Sequence, residues 1–143
     1  MRDLSITVDI AAPPERVWAV ISDVERWSEW TPTVTRIERL DQGPLAVGSR
    51  ARIRQPKLPP AVWRVSDLSE GQSFTWVSRS PGVSVIATHS VEPAGQGARA
   101  TLSIRFSGLL GPLVATCTRR LTERYLALEA QGLRERSTMA STS

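Results

Sequence analysis

The chain offers few side chains with which to do chemistry: one histidine, His89, one cysteine, Cys117, and one tyrosine, Tyr125. Histidine titrates near neutral pH, which makes His89 the only candidate for acid–base catalysis of that kind. A lone histidine on an apolar strand has a plainer reading too, a buried neutral imidazole bonded to neighbouring backbone or to Tyr125. Cys117 has no histidine beside it and falls on an apolar helical stripe, so it reads as a small buried hydrophobe rather than a nucleophile. One His and one Cys on different elements form no ligand cluster, and neither a metal nor another cofactor is expected. The sequence contains no glycine-rich phosphate loop, paired-carboxylate signature or nucleophile elbow.

These few groups gain meaning from the face they share. Side chains alternate across a strand, so parity assigns the buried side. Over residues 83–91, His89 has the parity of Val83, Val85, Ala87 and Val91. By the same rule Phe74, Trp76 and Ser78 point inward, as do Ala51, Ile53, Gln55, Trp63 and Val65, and then Ala98, Ala100, Leu102, Ile104 and Phe106. Ala51, Ala87, Ala98 and Ala100 leave volume, while Gln55, Ser78 and His89 are polar groups that need partners. A mostly apolar hollow with a few convergent polar groups is the form of a small-molecule site. Its expected lining is Ile53, Gln55, Leu58, Trp63, Phe74, Trp76, Ala87, His89, Phe106, Cys117, Leu121 and Tyr125. The competing reading is a filled core, with the alanines under a closely packed helix and the tryptophans as ordinary core.

The elements that must position these residues follow from periodicity. Residues 4–10 alternate strictly and predict a strand. Pro14 can open a helix, after which Val17, Trp18, Val20, Ile21 and Val24 recur at helical spacing. A second short helical turn is expected from Trp27 to Trp30, stopped by Pro32. From Thr33 the period changes to two, giving strands over 34–40, 49–55, 61–68, 73–79, 83–91 and 98–107. The breaks, such as Glu70-Gly71 and Pro81-Gly82, are short enough for hairpins, so the sheet is an antiparallel meander. Residues 56–60, Pro-Lys-Leu-Pro-Pro, cannot join an inner ladder and read as a stiff rim loop with Leu58 at its tip, a candidate gate. After Gly111-Pro112 one long helix is expected to about Arg136, with Leu113, Val114, Cys117, Leu121, Tyr125 and Leu128 on one stripe. The fold class is α+β: a curved antiparallel sheet of about seven strands, two short helices after the first strand, and a long C-terminal helix over the sheet with a cavity between. Residues 1–136 make this single domain, and 137–143 a disordered polar tail.

Three stretches add to this order of elements: Ala12-Pro13-Pro14-Glu15-Arg16-Val17-Trp18, Trp27-Ser28-Glu29-Trp30-Thr31-Pro32, and His89-Ser90-Val91-Glu92-Pro93 before a strand ending in Phe106-Ser107-Gly108. Together they resemble the helix-grip superfamily of birch-pollen-allergen-like and START-like proteins, in particular its bacterial polyketide cyclase/dehydrase-like (SRPBCC) branch. The resemblance covers nearly all of residues 3–136 and implies the same sheet-around-helix fold. That scaffold hosts lipid carriers, hormone receptors, cyclases and chaperone cofactors, so it leaves function open. The leading expectation is a non-enzymatic binding or carrier protein for a small hydrophobic molecule, lipid-like or polycyclic. The alternative is a cyclase or dehydratase that folds a reactive chain in the same cavity. The small number of polar inner positions favours binding.

Composition bounds the remaining classes. A chain of 143 residues, 41% of them hydrophobic, can bury its own core without staples. The net charge of +4 invites a nucleic-acid reading, but no basic block or arginine-rich helix face occurs, and no nucleic-acid partner is expected. Arg50, Arg52, Arg54, Arg64, Arg99 and Arg105 share the outer parity. That is ordinarily a solvated face, and an acidic partner there is the sharper alternative. Met1-Arg2-Asp3-Leu4-Ser5 is no secretory signal, and no run approaches the ~20 apolar residues of a membrane span. With a single cysteine, the expectation is a cytoplasmic protein without integral membrane association.

Overall fold

The computed structural model describes residues 3–139. Its elements are β1 (Asp3–Ile10), α1 (Pro14–Ser22), a 3-10 turn (Val24–Glu29), β2 (Arg36–Arg39), β3 (Arg50–Arg54), β4 (Ala61–Ser69), β5 (Ser73–Ser80), β6 (Val83–Ala94), β7 (Gly97–Ser107), α2 (Gly111–Cys117) and α3 (Arg119–Thr138). The strands form one antiparallel sheet in the order β1-β7-β6-β5-β4-β3-β2. Two short helical segments follow β1, and a long helix ends the chain, which is the helix-grip arrangement.

Local chemistry explains the boundaries. Pro13 is extended and Pro14 takes the first turn of α1, where its missing N–H costs nothing. The 3-10 turn begins at Val24, three residues earlier than the sequence pattern suggests. Val24 and Trp27 are its buried residues, one turn apart at 3-10 spacing. Pro81-Gly82 joins β5 to β6, and Gly82 has a φ of 81°, the left-handed value a type II turn needs after proline. β6 continues through Pro93, beyond the residue where pairing with β5 ends at Ser90, so the proline interrupts no ladder on that side. A register shift between Val65 and Asp67 bends β4 against β5.

The C-terminal helix departs from expectation. It is two segments, broken at Thr118. The Thr116 hydroxyl donates to Pro112 O at 2.9 Å and that of Thr118 to Val114 O at 2.6 Å, the back-bonding that bends helices. After the break the buried face follows Leu126, Ala130, Leu133 and Ser137. This phase keeps Ser137 fully buried and carries the helix to Thr138, where the sequence pattern suggested a polar tail from 137. Residues 140–143 of that tail lie outside the described residues. Gly132 lets this face close on the 3-10 corner, because a Cβ there would collide with the Trp30 carbonyl.

Candidate functional site

The sheet's inner face divides into a packed end and a hollow end. At the packed end Trp18, Ile21 and Phe74 are buried with Leu133 of α3. At the hollow end a cavity of about 220 Å³ separates β3–β7 from α2 and α3. A single water needs only about 10–15 Å³ by the same measure, so this space has room for a small organic molecule. Most of the lining is apolar: Val34, Ile53, Leu58, Trp63, Trp76, Val85, Ala87, Leu102, Ile104, Phe106, Leu121 and Leu126 all take part.

Of the expected lining residues, Ile53, Gln55, Leu58, Trp63, Trp76, Ala87, His89, Phe106, Leu121 and Tyr125 all face this cavity. Phe74 and Cys117 do not. Phe74 is fully buried at the packed end, against Trp18, Trp27, Trp76 and His89. Parity assigned it the correct face but could not say which end of that face is filled. Cys117 is exposed, because the inner face of α2 runs through Gly111, Val114 and Ala115 and leaves position 117 on the outer side. Of the alanines expected to leave volume, only Ala87 lines the cavity. Ala51, Ala98 and Ala100 are buried in the packed core, the last two on a strand that both α1 and α3 press against.

His89 sits in an aromatic cage. Its ring stacks on Phe74 at 4.5 Å with an interplanar angle of 16°, and Trp27 and Trp76 lie 5.1 and 6.1 Å away. Burial disfavours the imidazolium and pushes its pKa down to about 4, against a hydrogen bond with the Phe74 backbone that favours charge. The imidazole is therefore neutral at pH 7, and its Nδ1 has no hydrogen-bond partner among the described residues. Burial as a neutral imidazole fits the plainer reading of His89, and Tyr125 goes elsewhere. Its hydroxyl donates to the Pro56 carbonyl, tying the rim loop to α3. The same loop places Leu58 and Pro59 on the cavity wall.

Sequence reasoning missed Glu129. It lines the cavity from α3, where apolar neighbours push its carboxyl up to about 7 and a hydrogen bond from the Thr33 side chain opposes the shift. Thr33 is itself held by Thr31: the two hydroxyls are 3.0 Å apart, and the Thr33 N–H donates to Thr31 Oγ1 at 3.3 Å. Both threonines are buried. The step of three or four from Leu126 through Ala130 to Leu133 puts position 129 on the inner side, and that spacing was the available signal.

The sequence matches the polyketide cyclase/dehydrase and lipid transport family over residues 1–138. The chain belongs to this family. Among curated proteins no sequence match is found. Solved structures resemble it throughout. A protein of Thermus thermophilus superposes with a TM-score of 0.78 at 20% identity, covering 99% of this chain and 100% of its own. The Zhui aromatase/cyclase of a Streptomyces strain gives 0.78 at 17% identity, over 95% and 93% of the two chains. A START superfamily protein of Mycobacterium smegmatis gives 0.74 at 20% identity, over 95% and 99%. At these identities the likeness is one of fold. Membership of the polyketide cyclase/dehydrase family supports a ligand-binding or cyclase role. Among the described residues no helix is long and apolar enough to cross a membrane, and no group of three metal-ligating side chains converges. On the outer sheet face Arg52 pairs with Glu38 at 3.1 Å and Arg99 with Asp9 at 2.9 Å.

Proposed function

We propose that this protein binds and carries a small hydrophobic molecule, lipid-like or polycyclic, in the cavity between sheet and α3. The supporting observation is the hollow itself, about 220 Å³ lined mainly by apolar side chains in a core otherwise closely packed. Native proteins leave few voids larger than a water, because a void forfeits contacts on every wall. A hollow this large is retained for an occupant. The single cysteine fits a reducing compartment, and we place the protein in the cytoplasm.

A second reading rests on His89 and Glu129. One lies on the sheet and the other on the helix, and both line the cavity. A neutral imidazole and a carboxyl titrating near 7 can take and give protons, as a cyclase or dehydratase requires. Native mass spectrometry of freshly purified protein, with extraction of whatever is bound, tests the primary reading. The expected result is a discrete extra mass released on denaturation. A spectrum of unliganded protein that also shows no thermal shift with apolar probes would sink it. Turnover of the extracted molecule, lost in His89→Gln, would promote the enzyme reading instead.

A further inference from the structure

The cavity wall carries a carboxylic acid and no strong base. Among its described lining residues there is no lysine and no arginine. The titratable groups on its walls are Glu129 and Tyr125 from α3 and His89 from β6, and no charged side chain contributes to the Glu129 shift. Facing them are Trp27, Trp63 and Trp76, with Trp76 lying 5.2 Å from Trp27 and 5.9 Å from Trp63. Indole faces attract cations, as does a carboxylate, and neither welcomes an anion.

The threonine pair gives Glu129 a direction. Thr31 Oγ1 accepts from the Thr33 N–H and can donate to Thr33 Oγ1, which leaves the Thr33 hydroxyl proton to favour the carboxylate form of Glu129. Glu129 itself lines the cavity, where its carboxylate can accept from a donor on the occupant.

We infer that the occupant is a hydrophobic amine, an apolar ring or chain with one basic nitrogen, whose ammonium is held at Glu129 beside the tryptophans. This rests on the cavity-binding reading and narrows it from any apolar molecule to a cationic one. A fatty acid or other anionic lipid meets a carboxylate without a compensating base. A neutral ketone or alcohol gains one hydrogen bond at most.

Three probes with the same ring separate these classes: naphthylethylamine, naphthylethanol and naphthylacetate, each titrated calorimetrically into the full chain from acidic to mildly alkaline pH. Above the carboxyl's pKa the amine binds on the order of tenfold more tightly than the alcohol, and naphthylacetate binds worst. The amine's affinity rises with pH and levels above about 7, where Glu129 is ionised, while the alcohol's stays flat. In Glu129→Gln the amine falls to the alcohol's affinity and loses its pH dependence. Thr33→Val removes the donor that favours the carboxylate, so the midpoint of the amine's pH profile moves upward, which a purely structural role would not do. That variant and the parent's own profile suffice if Glu129→Gln does not fold. Alcohol binding as tight as amine binding at the alkaline end overturns the inference and leaves the cavity reading standing. Failure of all three probes overturns both.

Discussion

His89 and Glu129 answer to the same cause with opposite signs. Burial disfavours the charged form of each, which lowers the pKa of the base to about 4 and raises that of the acid to about 7. Between the ordinary values of 4.5 for a glutamate and 6.5 for a histidine, the unfolded chain carries the histidine proton and the folded chain the glutamate proton. For this pair the numbers of bound protons are then equal, and their contributions to the pH dependence of stability cancel. Each alone would tilt stability by at most about 1.4 kcal/mol per pH unit. Glu129→Gln leaves His89 acting alone, so stability climbs with pH across that window and falls away in acid. His89→Gln leaves Glu129 alone, and stability falls as pH rises through 7. Urea denaturation of parent and both variants at several pH values checks this. A flat profile in either variant would mean that its remaining group is not held away from water.

At the level of elements, the rim loop and α3 act as one unit. Lys57 sits at φ 66°, a left-handed conformation that costs a lysine energy and needs outside support. The support is Tyr125, whose hydroxyl donates to the Pro56 carbonyl, while Leu58 wedges into the cavity wall. Tyr125→Phe removes that tie at little cost to packing, and ligand exchange should quicken by about fivefold, the equivalent of one ordinary hydrogen bond. Stopped-flow tryptophan fluorescence reads this directly, and unchanged exchange would show that the ligand leaves by another route. The loop was legible in the sequence because three prolines have so few places to go, and the strands because an unbroken period of two has one interpretation. The last helix was not. An apolar stripe through Cys117 and Leu128 looks continuous, yet the helix breaks where Thr118 turns its hydroxyl onto Val114, and the inner face runs through Val114, Thr118, Leu121, Tyr125 and Glu129 instead. A glutamate is assigned to solvent by pattern, so Glu129 stayed hidden behind its own charge.

Across the whole molecule, the packed end supports a hollow that the cavity end does not itself stabilise. Phe74, Ile21 and Leu133 are almost inaccessible, and their burial offsets the contacts forgone where β3–β7 stand off from α3. Such a division makes stability and function compete at the cavity wall. Ala87 is the place to see it. It is buried in the middle of β6, paired with Trp76 on β5 and Ile104 on β7, and all three line the cavity. Ala87→Leu adds three carbons that project into space already present, without a new polar group to satisfy. At about 0.8 kcal/mol per methylene the variant gains up to roughly 2 kcal/mol, less any rotamer strain. The same carbons occupy the ligand's volume, so the ligand-induced rise in melting temperature disappears. Thermal melts with and without naphthylethylamine measure both effects in one experiment. Greater stability with lost binding is the expected pairing. A variant destabilised by overpacking would show instead that the space above β6 is not free to be filled, and that the hollow is smaller in solution than the fold implies.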